Sequence, residues 1–185
     1  MRVLAYYNDI NIKHELLNFK NGYKTSIQRW WNFIDENFDF IFKDLKIDYI
    51  VRALSSKEKS HSNYTGLDLL GELLAQRFNA EYVNDIFSKP ITKQLKSVGG
   101  AYNRQAVLSG KYRVDLSRLE KGKNFLVIDD VTTTGTTFNE IKRAILKEDS
   151  QAKVEEFALV KTLWDRDYSL EKRAYNQKFY KSLMA

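Results

Sequence analysis

The sequence predicts an α/β fold in which a central, mostly parallel twisted sheet is flanked by helices. Three observations predict it. Apolar runs of strand length alternate with stripes at helical spacing, the βαβ rhythm that calls for parallel strands and right-handed crossovers. One run, Phe125-Leu126-Val127-Ile128, is wholly apolar, as a strand buried on both faces must be, and Asp129-Asp130 and a turn of small hydroxylated residues separate it from the next helical stripe. Finally, 185 residues, 43% hydrophobic and 29% charged, suffice for one full core and are too few for two large ones.

In chain order, residues 2–7 read as a short strand, and Ile12, Leu16, Leu17 and Phe19 as a first helix ending near Asn21-Gly22. Ile27, Trp30, Trp31, Ile34, Phe38, Ile41, Phe42 and Leu45 recur at steps of three and four, the stripe of one amphipathic helix or a pair, which assigns both tryptophans to packing. Residues 47–54 form the first central strand, and residues 55–61, Ser-Ser-Lys-Glu-Lys-Ser-His, a polar loop after it. Leu67, Leu70, Leu73, Leu74 and Phe78 mark a helix, residues 81–84 a strand and residues 85–89 a second short extended segment. Residues 90–110 carry Lys93, Lys96, Arg104 and Gly99-Gly100 with no periodic apolar face, and read as a mobile lid able to exclude water from a reacting centre. Residues 125–129 and 154–160 add strands, before a polar helical tail that begins around Tyr168 and carries Lys172, Arg173, Lys178 and Lys181.

An open parallel sheet collects ligands at the C-terminal ends of its strands, which directs attention to residues 129–137. A helix N-terminus offers unpaired N–H groups and partial positive charge to a phosphate, the threonines add hydroxyls, and Gly135 permits a tight turn. Asp129 and Asp130 can accept bonds from sugar hydroxyls or hold hydrated Mg²⁺, so a phosphorylated sugar fits both halves. A plain turn with a threonine helix cap uses the same residue types. The polar loop at residues 55–61 falls at the same sheet edge and is a second candidate, or a solvated surface loop.

With no cysteine there is no disulfide framework, thiolate nucleophile or cysteine zinc site, and His14 and His61 are too isolated to read as metal ligands. A net charge of +6 and a pI near 9.3 favour anionic partners: a pyrophosphate-bearing substrate, nucleic acid, or nothing beyond a soluble surface. The 11 Tyr, 11 Phe and 3 Trp could stack single strands or fill the core. The opening apolar run is too short for a signal peptide and no stretch reaches membrane-spanning length, so the expected address is cytoplasmic, with no membrane partner.

Residues 125–137 resemble the phosphoribosyl-pyrophosphate (PRPP) loop of type I phosphoribosyltransferases: four hydrophobic residues, two acids and a small-residue turn. The resemblance implies the type I fold, one compact domain with a small N-terminal hood (residues 1–46) on a core of residues 47–185. It implies that Asp129 and Asp130 contact the ribose hydroxyls and, through water, Mg²⁺, and that Thr132, Thr133, Thr134, Gly135, Thr136 and Thr137 surround the 5′-phosphate. Arg52, Ala53, Leu54, Ser55, Ser56 and Lys57 become the pyrophosphate loop, with the amides of residues 53–56 and the cations holding the leaving group. Residues 90–110 stand where the family has a flexible catalytic loop, which makes Lys93 and Arg104 catalytic candidates.

Within the family the likeness is closest to ComF-type competence proteins. It rests on Tyr7, Ile12, Leu16-Leu17, Phe19-Lys20 and Gly22, on Thr92-Lys93-Gln94, and on Arg104, Gly110 and Tyr112-Arg113-Val114. Val107 replaces their Asn, Ser62-Asn63-Tyr64-Thr65-Gly66 replaces their Arg-Gly-Phe-Asn-Gln, and their N-terminal cysteine zinc element is missing.

Displacing pyrophosphate from ribose C1 builds positive charge on the sugar, so the chemistry asks for positioning and a neutralised leaving group rather than a nucleophilic side chain. The hypoxanthine-guanine branch carries an Asp three positions after the second acid to serve the purine; this chain has Thr133, as orotate-type loops have Thr. Trp164 either stacks a base or packs under the tail. Three functions stay open: a transferase moving phosphoribose from PRPP to a nucleobase-like acceptor, a ComF-like competence factor for single-stranded DNA, and a non-catalytic PRPP sensor. A homodimer is the default assembly.

Overall fold

The computed structural model describes residues 1–62, 64–90 and 110–185. Its main sheet holds β1 (Arg2–Tyr6), β2 (Tyr49–Arg52), β3 (Glu81–Tyr82), β6 (Asn124–Thr132) and β7 (Lys153–Lys161), all parallel, in the order β1-β7-β6-β2-β3. A two-stranded antiparallel ribbon joins β4 (Phe87–Ser88) to β5 (Arg113–Val114). The helices are α1 (Ile10–Lys20), α2 (Lys24–Glu36), α3 (Phe38–Ile41), α4 (Gly66–Phe78), α5 (Thr136–Glu148) and α6 (Leu170–Leu183).

Strand alternation sorts the core into two layers. Along β6, Leu126 and Ile128 join a buried cluster with α1, α2, α4 and α6, while Phe125 and Val127 join another built largely on α5. Residues 1–46 are continuous with this core: β1 pairs with β7, Trp30 is fully buried, and Ile12, Leu16 and Phe19 share the first cluster. The stripe from Ile27 to Leu45 divides at Asn37 into α2 and α3, the paired alternative. The tail proves less polar than its charges suggest. Phe179 packs against Phe33 at 4.7 Å between ring centroids, and the buried Asn176 exchanges hydrogen bonds with the Tyr6 backbone at 3.0 and 2.7 Å.

Among the strand lengths that differ from the sequence reading, two together place the cavity. β2 covers only Tyr49–Arg52 of the expected residues 47–54, whereas β6 runs through both acids to Thr132. The reason is the neighbour on each side. β7 continues to Lys161 and pairs with β6 as far as Thr132, while β2 ends opposite Ile128, so the last four residues of β6 are bare on the β2 side. No helix among the described residues is long and apolar enough to cross a membrane.

Candidate functional site

The bare end of β6 opens into a cavity of about 700 Å³ walled by the ends of β2, β6 and β7, the last turn of α1 and the first turns of α4 and α5. Two helix termini are brought together there by a glycine: a Cβ on Gly66 would sit 2.6 Å from the Phe19 carbonyl oxygen, so only glycine lets α4 begin so close to where α1 ends. Asp9 starts α1 by accepting from the Asn11 and Ile12 amides, which fixes the helix carrying Lys20.

Asp129 and Asp130 both line the cavity, and as neighbours on a strand they leave it by opposite faces. Asp130 turns to α1, where Lys20 Nζ lies 3.0 Å from its Oδ2. Asp129 accepts from the Asp130 amide at 2.8 Å. Burial, and then the charge of Asp130, push the Asp129 carboxyl well above the ordinary carboxylate range, only partly opposed by the amide bond and by Lys20. The carboxyl of Asp129 therefore gives up its proton reluctantly beside the charge of Asp130.

Beyond it, Thr133, Thr134, Gly135, Thr136 and Thr137 line the cavity as the turn into α5. Gly135, at φ +74°, is the N-cap, and among the described residues no side chain caps the helix, an arrangement whose first-turn amides an anion can complete. The hydroxyls of Thr134 and Thr136 meet at 2.7 Å. Thr132 also lines the cavity, but from the end of β6: it is buried there, and its carbonyl accepts from Thr162 N at 2.7 Å.

The loop after β2 also reaches the cavity, but its groups are spent differently from expectation. The Ala53 amide continues the sheet to Ile128 O at 2.9 Å, the Leu54 amide takes the Tyr112 hydroxyl at 3.1 Å, and the Ser55 amide donates to Glu58 at 2.7 Å. These three amides are satisfied inside the protein. The Arg52 guanidinium is likewise engaged: Nη1 and Nη2 donate to the two Glu58 oxygens at 3.0 and 2.8 Å, and Nε donates to Asp68 at 2.7 Å. Lys57 is exposed and not among the residues lining the cavity.

Asp68 anchors this wall. Entirely buried, it receives Arg52, Tyr82 and His61 on Oδ1 at 2.7, 2.7 and 2.6 Å, and the Thr65 amide and hydroxyl on Oδ2 at 2.6 and 2.8 Å. Burial alone would raise its pKa; the bonds from Tyr82, Arg52, His61 and Thr65 hold it down at about 2. Glu58 is lowered in the same way, with burial overcome by Arg52 and the Ser55 amide. His61 thus belongs to a buried network, which sequence spacing did not suggest, while His14 is exposed.

Lys20, Glu58, Asp68 and Tyr112 were not assigned to the site from sequence. Two signals were readable: Ser55-x-x-Glu58 and Thr65-x-x-Asp68 both follow the capping-box spacing, and the second is a true capping box. Trp164 is 56% exposed and lines the cavity, so packing under the tail is not its role. Among the described residues no cluster of three or more His, Asp or Glu forms a metal cage. Lys93, Arg104 and nearly all of the expected lid lie outside the described residues.

No protein-family model matches the chain, and no curated protein matches it. Solved structures similar to it include adenine phosphoribosyltransferase from Saccharomyces cerevisiae in complex with adenine and an imino-altritol bisphosphate, at 20% identity over 82% of this chain and 75% of that one, TM-score 0.46. A hypoxanthine phosphoribosyltransferase from Staphylococcus aureus is 17% identical over 75% and 69%, TM-score 0.43. The adenine phosphoribosyltransferase from Trypanosoma brucei, in complex with AMP, pyrophosphate and ribose-5-phosphate, is 15% identical over 82% and 71%, TM-score 0.45.

Proposed function

We propose that this protein binds PRPP with Mg²⁺ and transfers its phosphoribosyl group to a nucleobase-like acceptor, releasing pyrophosphate. The observation that carries the reading is one cavity holding two adjacent carboxylates, Asp129 and Asp130, beside a helix start at Gly135 that no side chain among the described residues caps. A phosphate on the α5 amides and the Thr133–Thr137 hydroxyls places a ribose over Asp129 and Asp130, whose oxygens accept from its hydroxyls.

Mg²⁺ fits the donor set, since it prefers oxygen ligands with water between, and a cation there would offset the burial and the Asp130 charge that push the Asp129 carboxyl upward. Asp129 and Asp130 would hold it, and the charge it brings neutralises the departing pyrophosphate. The remaining work belongs to the protein: Lys20 orients Asp130, and the Arg52–Glu58 pair fixes the chain from Ala53 to Ser56 against the leaving group.

Calorimetric titration with PRPP tests this. Binding by the wild type should require Mg²⁺, and Asp130→Asn should weaken it by about tenfold or more, the size expected for a lost charged hydrogen bond. No binding by the wild type would sink the reading, and pyrophosphate release on adding an acceptor separates transfer from binding alone.

A further inference from the structure

The main cavity runs into a second one of about 330 Å³, and Tyr7, Thr162, Leu163 and Trp164 belong to the walls of both. Asn8, Lys13 and Asp165 complete the smaller chamber. Its position next to the proposed ribose site makes it the place for an acceptor.

An uncharged nucleobase is read by donor and acceptor pairs along its edge, and a backbone N–H and C=O side by side make such a reader. Leu163 offers that pair between the two chambers, but both groups are taken. Its N–H donates to Asn8 Oδ1 at 3.0 Å and its C=O accepts from Asn8 Nδ2 at 3.0 Å. The Asn8 amide occupies the edge that a base would need.

What the chamber leaves available is ring surface and charge. Trp164 is largely exposed and Tyr7 partly so, giving aromatic area. Lys13 Nζ stands over the Tyr7 ring, 5.5 Å from its centroid, and among the described residues no carboxylate pairs with it. Lys20 lies two turns further along the same side of α1, about 10 Å away by helix rise, so α1 sets one cation at each chamber. Lys20 is committed to Asp130; Lys13 has no such partner. Asp165, exposed at the chamber wall, accepts from Asn8 Nδ2 at 3.5 Å and has room for another N–H.

Resting on the reading of the main cavity as a phosphoribose site, we infer that the acceptor is a planar nitrogen compound bearing a carboxylate. Its ring lies on Tyr7 and Trp164, its carboxylate meets Lys13, and a ring or amino N–H meets Asp165. In the reaction the acceptor nitrogen forms the bond to ribose C1 as the C1–O bond to pyrophosphate breaks. Pyrophosphate leaves with the electron pair and the N–H proton passes to solvent.

Matched pairs that differ by the carboxylate test this: uracil against uracil-6-carboxylate, and aniline against 2-aminobenzoate, with adenine and hypoxanthine as uncharged bases. Pyrophosphate release should favour the acid of at least one pair by about tenfold in kcat/KM, the size of one charge-assisted contact. Lys13→Met should remove that preference chiefly through KM, Lys13→Arg should restore it, and PRPP affinity by calorimetry should stay unchanged in both. Adenine, hypoxanthine or uracil used as well as any acid, an acid preference surviving Lys13→Met, or PRPP binding with no acid turned over would each overturn it. Absence of PRPP binding would instead defeat the phosphoribose reading beneath it.

Discussion

Asp68 and Asp129 are carboxylates at the same end of the sheet, and loss of water alone would push both upward in pKa, yet they end on opposite sides of the ordinary range. Asp68 has five donor contacts from four residues, and all its charge is answered. Asp129 has one amide and a neighbour of like charge. The difference separates the two loops of the cavity. The wall after β2 spends its hydrogen bonds on holding its own shape, and the wall after β6 carries a carboxyl and a helix start that the described residues answer only in part.

That contrast can be broken from the rigid side first. Asp68→Ala leaves the Arg52 guanidinium buried beside unfilled Tyr82 and Thr65 donors, and should cost roughly 3–5 kcal/mol in urea unfolding, the penalty of breaking a buried charge pair. Glu58→Gln keeps the shape but removes the charge that grips Arg52 and the Ser55 amide, for roughly 2 kcal/mol by the same measurement.

Changes on the open side should be smaller. Gly135→Ala meets no atom within 4 Å but must hold φ +74°, a cost of about 1 kcal/mol from the backbone alone. Asp130→Asn loses only a half-exposed ion pair with Lys20, so unfolding should move by less than about 1 kcal/mol while ligand affinity falls.

Acid and base titrations sharpen the same comparison. Because the folded pKa of Asp68 is about 2 against an ordinary 3.8, its contribution is present above the ordinary value and is lost as pH falls toward 2. Asp129 is raised, so its term favours the fold at low pH and is lost as pH climbs out of the carboxylate range. Asp129→Asn should therefore flatten the alkaline side of the stability profile, and a variant profile identical to wild type would refute the assignment.

Much of this was legible in the chain itself. The apolar quartet of β6, the stripes of α2 and α4, and the Gly135 turn are local patterns whose period or backbone demand declares them. What escaped depended on partners far along the chain. β6 extends through its acids only because β7, whose paired residues lie 29 positions later, is long enough to pair with them. Arg52 looked like a cation for a ligand because its partners, Glu58 and Asp68, reach it only after the chain has turned through a loop and entered α4. Lys20 and Trp164 became wall residues through the meeting of α1 with the ends of β6 and β7.

The pairing of β1 with β7 and the seating of α6 on β1 have a consequence for how the chain is made. β1 has its sheet neighbour some 150 positions downstream, and its backbone is tied by Asn176 of α6. At usual rates of synthesis β1 waits on the order of ten seconds for a partner. A nascent chain stalled or cut before β7 would leave β1 an unpaired strand, so β7, with Asn176 of α6 fastened to the Tyr6 backbone behind it, is the clasp that ends a period of exposure to chaperones and to other edges.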